Sequence, residues 1–127
     1  MSDASDLPVV VCVDDEPAIL ASLQRLLRNE PYRLMTTGKP EEAVTWILQN
    51  YARVVIVDQR MPGMSGLELL ELVRSCSPTT ARVMLTGQSD LSGVLKRTKL
   101  EAIDRLLRKP WDGDELKATV RTLLSLG

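Results

Sequence analysis

Two kinds of apolar segment alternate along this chain of 127 residues, and the alternation restricts the folds open to it. Short runs rich in β-branched residues are separated by longer stretches whose apolar residues recur at helical spacing. The short runs predict five strands, β1 to β5, over Val9–Val13, Tyr32–Thr36, Val54–Val57, Arg82–Leu85 and Ile103–Leu107. The longer stretches predict five helices, α1 to α5, with apolar stripes over Ile19–Leu27, Val44–Leu48, Leu69–Val73, Leu91–Thr98 and Leu116–Leu124.

A strand–helix unit repeated five times predicts an α/β fold with right-handed crossovers and a parallel sheet covered on both faces. The Val-rich β1 and β3 fit strands that are buried on both sides. Five strands are most simply ordered 2-1-3-4-5, the flavodoxin-like (βα)5 arrangement of a doubly wound sheet. Strands β1 and β3 then flank the point where strand order reverses, and ligands bind there beyond the carboxyl ends of the strands.

Size and charge favour one globular domain that binds neither membrane nor nucleic acid directly. The chain carries 16 basic and 17 acidic residues, a net charge of −1, without the excess of positive charge that marks nucleic-acid binders. The start of the chain is acidic rather than basic, and its apolar runs are too short to cross a bilayer. We therefore expect a cytoplasmic protein with a loose tail over residues 1–7 and a domain over residues 8–127.

The cysteine and histidine content narrows the chemistry. Cys12 lies within β1 and Cys76 follows the α3 stripe, so we interpret both as small core or near-core residues rather than a disulfide. The chain has no histidine. Histidine-dependent catalytic triads and histidine-containing zinc sites are therefore excluded within it.

Polar residues follow four of the predicted strands at the edge where a ligand would bind. Asp14 and Asp15 follow β1, Asp58 follows β3, Thr86 follows β4 and Lys109 follows β5. Converging carboxylates repel one another and favour a bound cation, and hard oxygen ligands suit Mg²⁺. A carboxylate nucleophile with a divalent cation, a lysine and a threonine is typical of phosphoryl transfer, in which Asp58 would become an aspartyl phosphate.

Four motifs in order carry a resemblance to a known family. They are Val13-Asp14-Asp15-Glu16-Pro17, then Asp58-Gln59-Arg60-Met61-Pro62-Gly63-Met64-Ser65-Gly66, then Leu85-Thr86-Gly87, then Lys109-Pro110-Trp111. Together they resemble the receiver domain of bacterial two-component response regulators, over roughly residues 8 to 125.

The resemblance implies a phosphoacceptor and a magnesium site. Asp58 is expected to accept the phosphoryl group. Asp15 and Asp58 are expected to bind Mg²⁺ through side-chain oxygens, Asp14 through a water molecule, and Arg60 through its backbone carbonyl.

The resemblance also implies roles around the phosphoryl group. Thr86 and Lys109 would contact it, and the Lys109–Pro110 peptide bond would be cis. Arg60 and Gln88 occupy positions expected to influence the lifetime of the phosphorylated state. Leu106 stands where the family commonly has a tyrosine or phenylalanine switch, so the usual swing of a ring between solvent and core is not available here.

The implied partners follow from the family. The phosphoryl donor would be a phosphohistidine on a sensor histidine kinase or phosphotransfer protein. Phosphorylation would switch the β4-α4-β5-α5 face to control a partner or an output domain outside this chain, with a homodimer forming through the α4-β5-α5 face. The domain would be no enzyme beyond catalysing its own phosphorylation and dephosphorylation.

Two alternative functions stay open from the sequence. One is a pseudo-receiver, an interaction module that takes no phosphate. The other is a phosphohydrolase of the haloacid dehalogenase kind. That family has the motif Asp-x-Asp-x-Thr at its nucleophile, whereas this chain has Asp58-Gln59-Arg60, with an arginine in place of the second aspartate. Turnover of an aryl phosphate would favour the hydrolase.

Overall fold

The computed structural model describes residues 7–61, 63–87, 100–109 and 111–126. The elements are β1 Val9–Val13, α1 Pro17–Leu26, β2 Arg33–Thr37, α2 Pro40–Asn50, β3 Val54–Asp58, α3 Gly66–Cys76, β4 Ala81–Thr86, a 3₁₀ turn Leu100–Ala102, β5 Arg105–Arg108 and α5 Gly113–Leu126. The predicted α4 lies outside the described residues, as does nearly all of the predicted N-terminal tail.

All four strand pairings are parallel, and the sheet order is β2-β1-β3-β4-β5, which confirms the predicted topology. The register brings the carboxyl ends of the strands to one edge. Val13 pairs with both Thr37 and Val57, and Asp58 pairs with Leu85. Asp14, which follows β1, therefore lies level with Asp58, the last residue of β3.

Alternate residues of the central strands pack into two separate hydrophobic clusters, one on each face of the sheet. Val9, Val11 and Val13 of β1 pack with α2 and α3. Val10 and Cys12 pack with α1 and α5. No helix in the described part of the chain is long and apolar enough to span a bilayer.

Strand β5 begins two residues later than its apolar run predicts. Asp104 forms the turn before the strand: its carboxylate accepts a hydrogen bond from the backbone N–H of Arg82 (2.7 Å), and its own N–H donates to the Arg82 carbonyl (2.8 Å). Ile103 packs against the α2/α3 cluster from this turn. Its apolar character therefore reflects burial in a connection and not a place in the strand.

Helix α3 begins at Gly66, directly after its cap residue Ser65. The side chain of Ser65 accepts a hydrogen bond from Glu68 N–H (3.1 Å), and Glu68 Oε1 accepts from Ser65 N–H (3.3 Å), which is a complete capping box. At α5, Asp112 Oδ1 accepts from the N–H groups of Asp114 (2.8 Å) and Glu115 (3.4 Å).

The two cysteines differ in environment, and the interpretation of Cys76 was wrong. Cys12 is fully buried in β1, as predicted, but Cys76 is exposed at the last residue of α3. Val73 is the last buried residue of α3, so Cys76 lies at a helix end beyond the packed part of the apolar stripe. Neither cysteine forms a disulfide, which agrees with the prediction.

Candidate functional site

Three predicted site residues meet at the carboxyl ends of β1 and β3. Asp14 and Asp58 follow the paired residues Val13 and Val57, so the sheet register sets them side by side. Asp14, Asp58 and the neighbouring Asp15 each offer a carboxylate oxygen, and these oxygens lie within 4.8 Å of one another. Asp14 and Asp58 are buried, whereas Asp15 is exposed.

The carboxylate of Asp14 is only half satisfied. Its Oδ1 accepts a hydrogen bond from Glu16 N–H (2.9 Å), but its buried Oδ2 has no hydrogen-bond partner among the described residues. Burial, with the negative charges of Asp58 and Asp15, raises the pKa of Asp14 to about 6, against the lowering effect of the Glu16 hydrogen bond and of Lys109. A buried oxygen without a donor, beside two more carboxylates, fits a hard divalent cation.

Lys109 supplies positive charge to the site. Its Nζ forms an ion pair with Asp58 Oδ1, and its side chain is 27% exposed against 8% for Asp58. The Lys109 N–H donates to the Thr86 carbonyl (2.8 Å), which ties the end of β5 to the end of β4. The lysine therefore offsets one carboxylate of the cluster and leaves negative charge that a divalent cation could balance.

Thr86 is fully buried at the end of β4. Its hydroxyl donates to the carbonyl oxygen of Gly87 at 3.3 Å. The predicted threonine is thus at the predicted strand end, with its hydroxyl engaged locally.

The model of the response regulator receiver domain matches residues 10–121 of this chain. The chain belongs to the response regulator receiver domain family. All the site residues described above lie within the matched region.

Curated relatives of this receiver domain are bacterial regulators. It is 35% identical over 112 residues, 88% of this chain, to the hydrogenase transcriptional regulatory protein HoxA of Cupriavidus necator, and covers 23% of that protein. It is 32% identical over 117 residues, 92% of this chain, to the DNA-binding transcriptional regulator NtrC of Salmonella typhimurium, and covers 25% of it. The chain thus spans about a quarter of the length of these relatives.

Solved receiver domains share the fold. The signal receiver domain of an HD domain-containing protein from Pseudomonas fluorescens matches with a TM-score of 0.86 and 32% identity, over 98% of this chain and 92% of that one. A response regulator receiver domain protein from Clostridium thermocellum matches with a TM-score of 0.84 and 28% identity, over 94% and 95% of the two chains.

The receiver domain has two further residues at the site that the sequence analysis did not single out. Gln59 is 7% exposed, and its side-chain Oε1 accepts a hydrogen bond from Leu67 N–H (3.0 Å). A Cβ added to Gly66 would lie 2.4 Å from the Asp58 carbonyl oxygen. A glycine directly after the helix cap Ser65 is the signal that could have pointed to this close approach; a buried glutamine has no sequence signature of its own.

Of the remaining predicted residues, Arg60 and Leu106 belong to the described part of the chain. Arg60 is exposed just after Gln59. Leu106 is partly buried and packs against the cluster under α2 and α3, and it pairs in register with Met84. Gln88 and Pro110 lie outside the described residues, so the cis peptide bond stays a prediction.

Proposed function

We propose that this receiver domain is a phosphoacceptor switch whose Asp58 receives the phosphoryl group. The observation that carries the proposal is the convergence of Asp14, Asp15 and Asp58 beside the Lys109 ammonium. Buried carboxylates from two neighbouring strands are costly for stability alone. They are suited to a reaction in which a cation and an anionic phosphoryl group are brought to an aspartate.

The acids and the backbone at Arg60 would hold Mg²⁺. Asp15 and Asp58 would bind it through carboxylate oxygens, Asp14 through water and Arg60 through its carbonyl. When bound, the ion would neutralise charge on the phosphoryl oxygens. The unpartnered Oδ2 of Asp14 supports a water ligand at that position, because such a water would donate the missing hydrogen bond.

The remaining chemistry needs mainly positioning. An Asp58 oxygen would attack phosphorus as the bond to a histidine nitrogen of the donor breaks, and the electron pair of that bond would return to the imidazole. The Lys109 ammonium, already paired with Asp58, would form an ion pair with the phosphoryl oxygens once the group is transferred. Thr86 would exchange its 3.3 Å bond to Gly87 for a phosphoryl oxygen, which makes its hydroxyl a sensor of the modified state.

Phosphorylation would be transmitted to partners by a change in the β4-α4-β5-α5 face. A phosphoryl group adds charge and acceptor oxygens at Asp58 and would shift an equilibrium between two arrangements of this face. Leu106 lies on β5 against the α2/α3 cluster, so the change would proceed by aliphatic repacking and not by the swing of an aromatic ring. The phosphoryl donor would be a sensor histidine kinase or phosphotransfer protein. The partner that responds would be a second copy, bound through the α4-β5-α5 face, or an output region outside this chain.

Acetyl phosphate with Mg²⁺ tests the function directly. Intact-mass analysis should detect one phosphoryl adduct on the wild type, and none on Asp58→Asn or after the divalent cation is removed with a chelator. A folded wild type without an adduct would favour the pseudo-receiver. Sustained turnover of an aryl phosphate would favour the hydrolase. A cytoplasmic location stays a prediction.

Arg60 and Gln88 lie two residues after Asp58 and Thr86, and by resemblance to the family these positions flank the phosphoryl group. We propose that they influence the lifetime of the phosphorylated state. A double variant with alanine at both positions should dephosphorylate at a different rate from the wild type. The decay of the mass adduct after removal of acetyl phosphate measures that rate, and equal half-lives would remove the assignment.

A further inference from the structure

Gln59 supplies two of the acceptors at the start of helix α3. The first N–H groups of an α-helix have no partner within the helix and need acceptors from elsewhere. Gly66 N–H donates to the Gln59 backbone carbonyl (3.0 Å), and Leu67 N–H donates to the Gln59 side-chain Oε1 (3.0 Å).

The next two N–H groups of α3 are satisfied within the helix cap. Glu68 N–H donates to the Ser65 hydroxyl (3.1 Å), and Leu69 N–H donates to the Ser65 carbonyl (3.0 Å). Gln59 and Ser65 therefore each provide acceptors for two of the first four N–H groups of α3. The difference is location: Ser65 belongs to the helix end, whereas Gln59 directly follows the acceptor Asp58.

Gln59 is also held from the side of the sheet. Its N–H donates to the Leu85 carbonyl at 3.0 Å, so its backbone continues the pairing of β3 with β4. Gly66 meanwhile approaches the Asp58 carbonyl so closely that an added Cβ would lie 2.4 Å away. The backbone on both sides of the Asp58–Gln59 peptide is thus confined between β4 and the start of α3.

We propose that Gln59 is a positioning residue for the metal and phosphoryl site. By accepting the Leu67 N–H, its side-chain amide holds the start of α3 against β3, and this sets the direction of the Asp58 carboxylate before it and the Arg60 carbonyl after it. The inference rests on the proposed function, because it assigns the contact a purpose in that reaction. Gln59 itself touches neither the ion nor the phosphoryl group.

Gln59→Met tests the role of the side-chain acceptor. Methionine has a similar length and fills the same buried space, but it leaves the Leu67 N–H without an oxygen acceptor. Removing a group that orients metal ligands typically costs 10–100-fold, so we expect roughly tenfold weaker Mg²⁺ affinity and a similar slowing of phosphorylation by acetyl phosphate.

Ser65→Ala is the matched control, because it also removes a side-chain acceptor from the start of α3, but the acceptor that it removes serves Glu68 N–H and does not come from the Asp58–Arg60 segment. Both variants are compared with the wild type by Mg²⁺ calorimetry, by the phosphorylation rate and by hydrogen exchange of the Leu67 amide, at a temperature where all three proteins are folded. Faster Leu67 exchange with weakened Mg²⁺ binding in Gln59→Met, and near wild-type Mg²⁺ binding in Ser65→Ala, is the expected result.

Equal losses in the two variants, or wild-type Mg²⁺ affinity in Gln59→Met, would overturn the assignment and leave the proposed function standing. A wild type that binds Mg²⁺ but takes no phosphoryl group would remove the proposed function, and the Mg²⁺ affinities would then decide the positioning role by themselves. A wild type that binds no Mg²⁺ would remove both.

Discussion

At the scale of single residues, Asp14 is the group whose function and stability conflict. Its Oδ2 is buried without a hydrogen-bond partner among the described residues, and two other carboxylates lie close by. Ionised, the side chain pays for burial and repulsion that the unfolded chain does not experience. Asp14 is therefore expected to lower the free energy of unfolding of the metal-free protein.

Asp14→Asn should stabilise the protein in the presence of a chelator. The folded pKa of Asp14, about 6, lies above its ordinary value of 3.8, so stability is lost as the pH rises between these values and stays lost above them. We expect the variant to gain about 1–2 kcal/mol over the wild type at pH 7 and nearly nothing at pH 4. Urea unfolding at both pH values measures the difference.

The same substitution should weaken Mg²⁺ binding by roughly tenfold or more, because it removes one negative charge from the cluster. Stability gained with metal affinity lost would mark Asp14 as a residue retained for binding. A variant less stable than the wild type at pH 7 without Mg²⁺ would contradict the expected conflict.

The cysteines offer a second contrast between single residues. Burial, with a smaller contribution from Asp14, raises the pKa of the Cys12 thiol to about 12, whereas Cys76 is exposed on α3. A thiol reagent should therefore modify one cysteine in the folded protein and two in denaturant. Peptide mass mapping should place the native label on Cys76, and rapid native labelling of Cys12 would contradict its burial in β1.

At the scale of elements, the start of α3 approaches the end of β3 closely at Gly66. Gly66→Ala should destabilise the protein by roughly 1–3 kcal/mol, because a Cβ 2.4 Å from the Asp58 carbonyl oxygen forces backbone to move. Gly113→Ala is the control: its Cβ would meet the Cδ1 of Leu26 at 2.8 Å, the end of a side chain that can rotate away.

Chemical denaturation of the two glycine variants compares a backbone clash with a side-chain contact. Gly113→Ala should stay within about 1 kcal/mol of the wild type, since alanine favours a helix over glycine. Equal losses in both variants would show that helix α3 has room to shift away from Asp58.

How well each element could be predicted depends on what buries it. β1 and β3 are buried along their whole length, so their apolar runs locate them well: the run of β1 matches the strand, and that of β3 ends one residue short of it, at Val57. β5 has exposed arginines at both ends, and its start is decided by the contacts of Asp104 with Arg82, which no local pattern encodes. Likewise, the acids and Lys109 could be located from strand ends, but the contacts of Gln59 arise only when β3 and α3 meet.

At the scale of the whole molecule, one ion pair joins distant parts of the chain. Arg121 of α5 donates to both carboxylate oxygens of Glu30, through Nε (2.8 Å) and Nη2 (2.6 Å). The Glu30 side chain is 5% exposed and the Arg121 side chain 60% exposed. Burial and the charge of Glu30 also raise the pKa of the neighbouring Tyr32.

The asymmetry in exposure predicts unequal effects of removing each partner. Arg121→Met should destabilise the protein more than Glu30→Gln, because it leaves a buried carboxylate unpaired, whereas Glu30→Gln leaves an arginine that water can solvate. Urea unfolding of both single variants and of the double variant provides the comparison. A greater loss in Glu30→Gln would contradict the expectation.

The alternation of residues along β1 divides the molecule into two compartments that share one strand. Trimming Val11 would empty space beneath α2 and α3, and trimming Val10 would do the same beneath α1 and α5. Neighbouring substitutions one position apart should therefore loosen opposite sides of the domain. One of the two hydrophobic clusters can therefore repack while the other keeps Asp14 and Asp58 side by side at the end of the sheet.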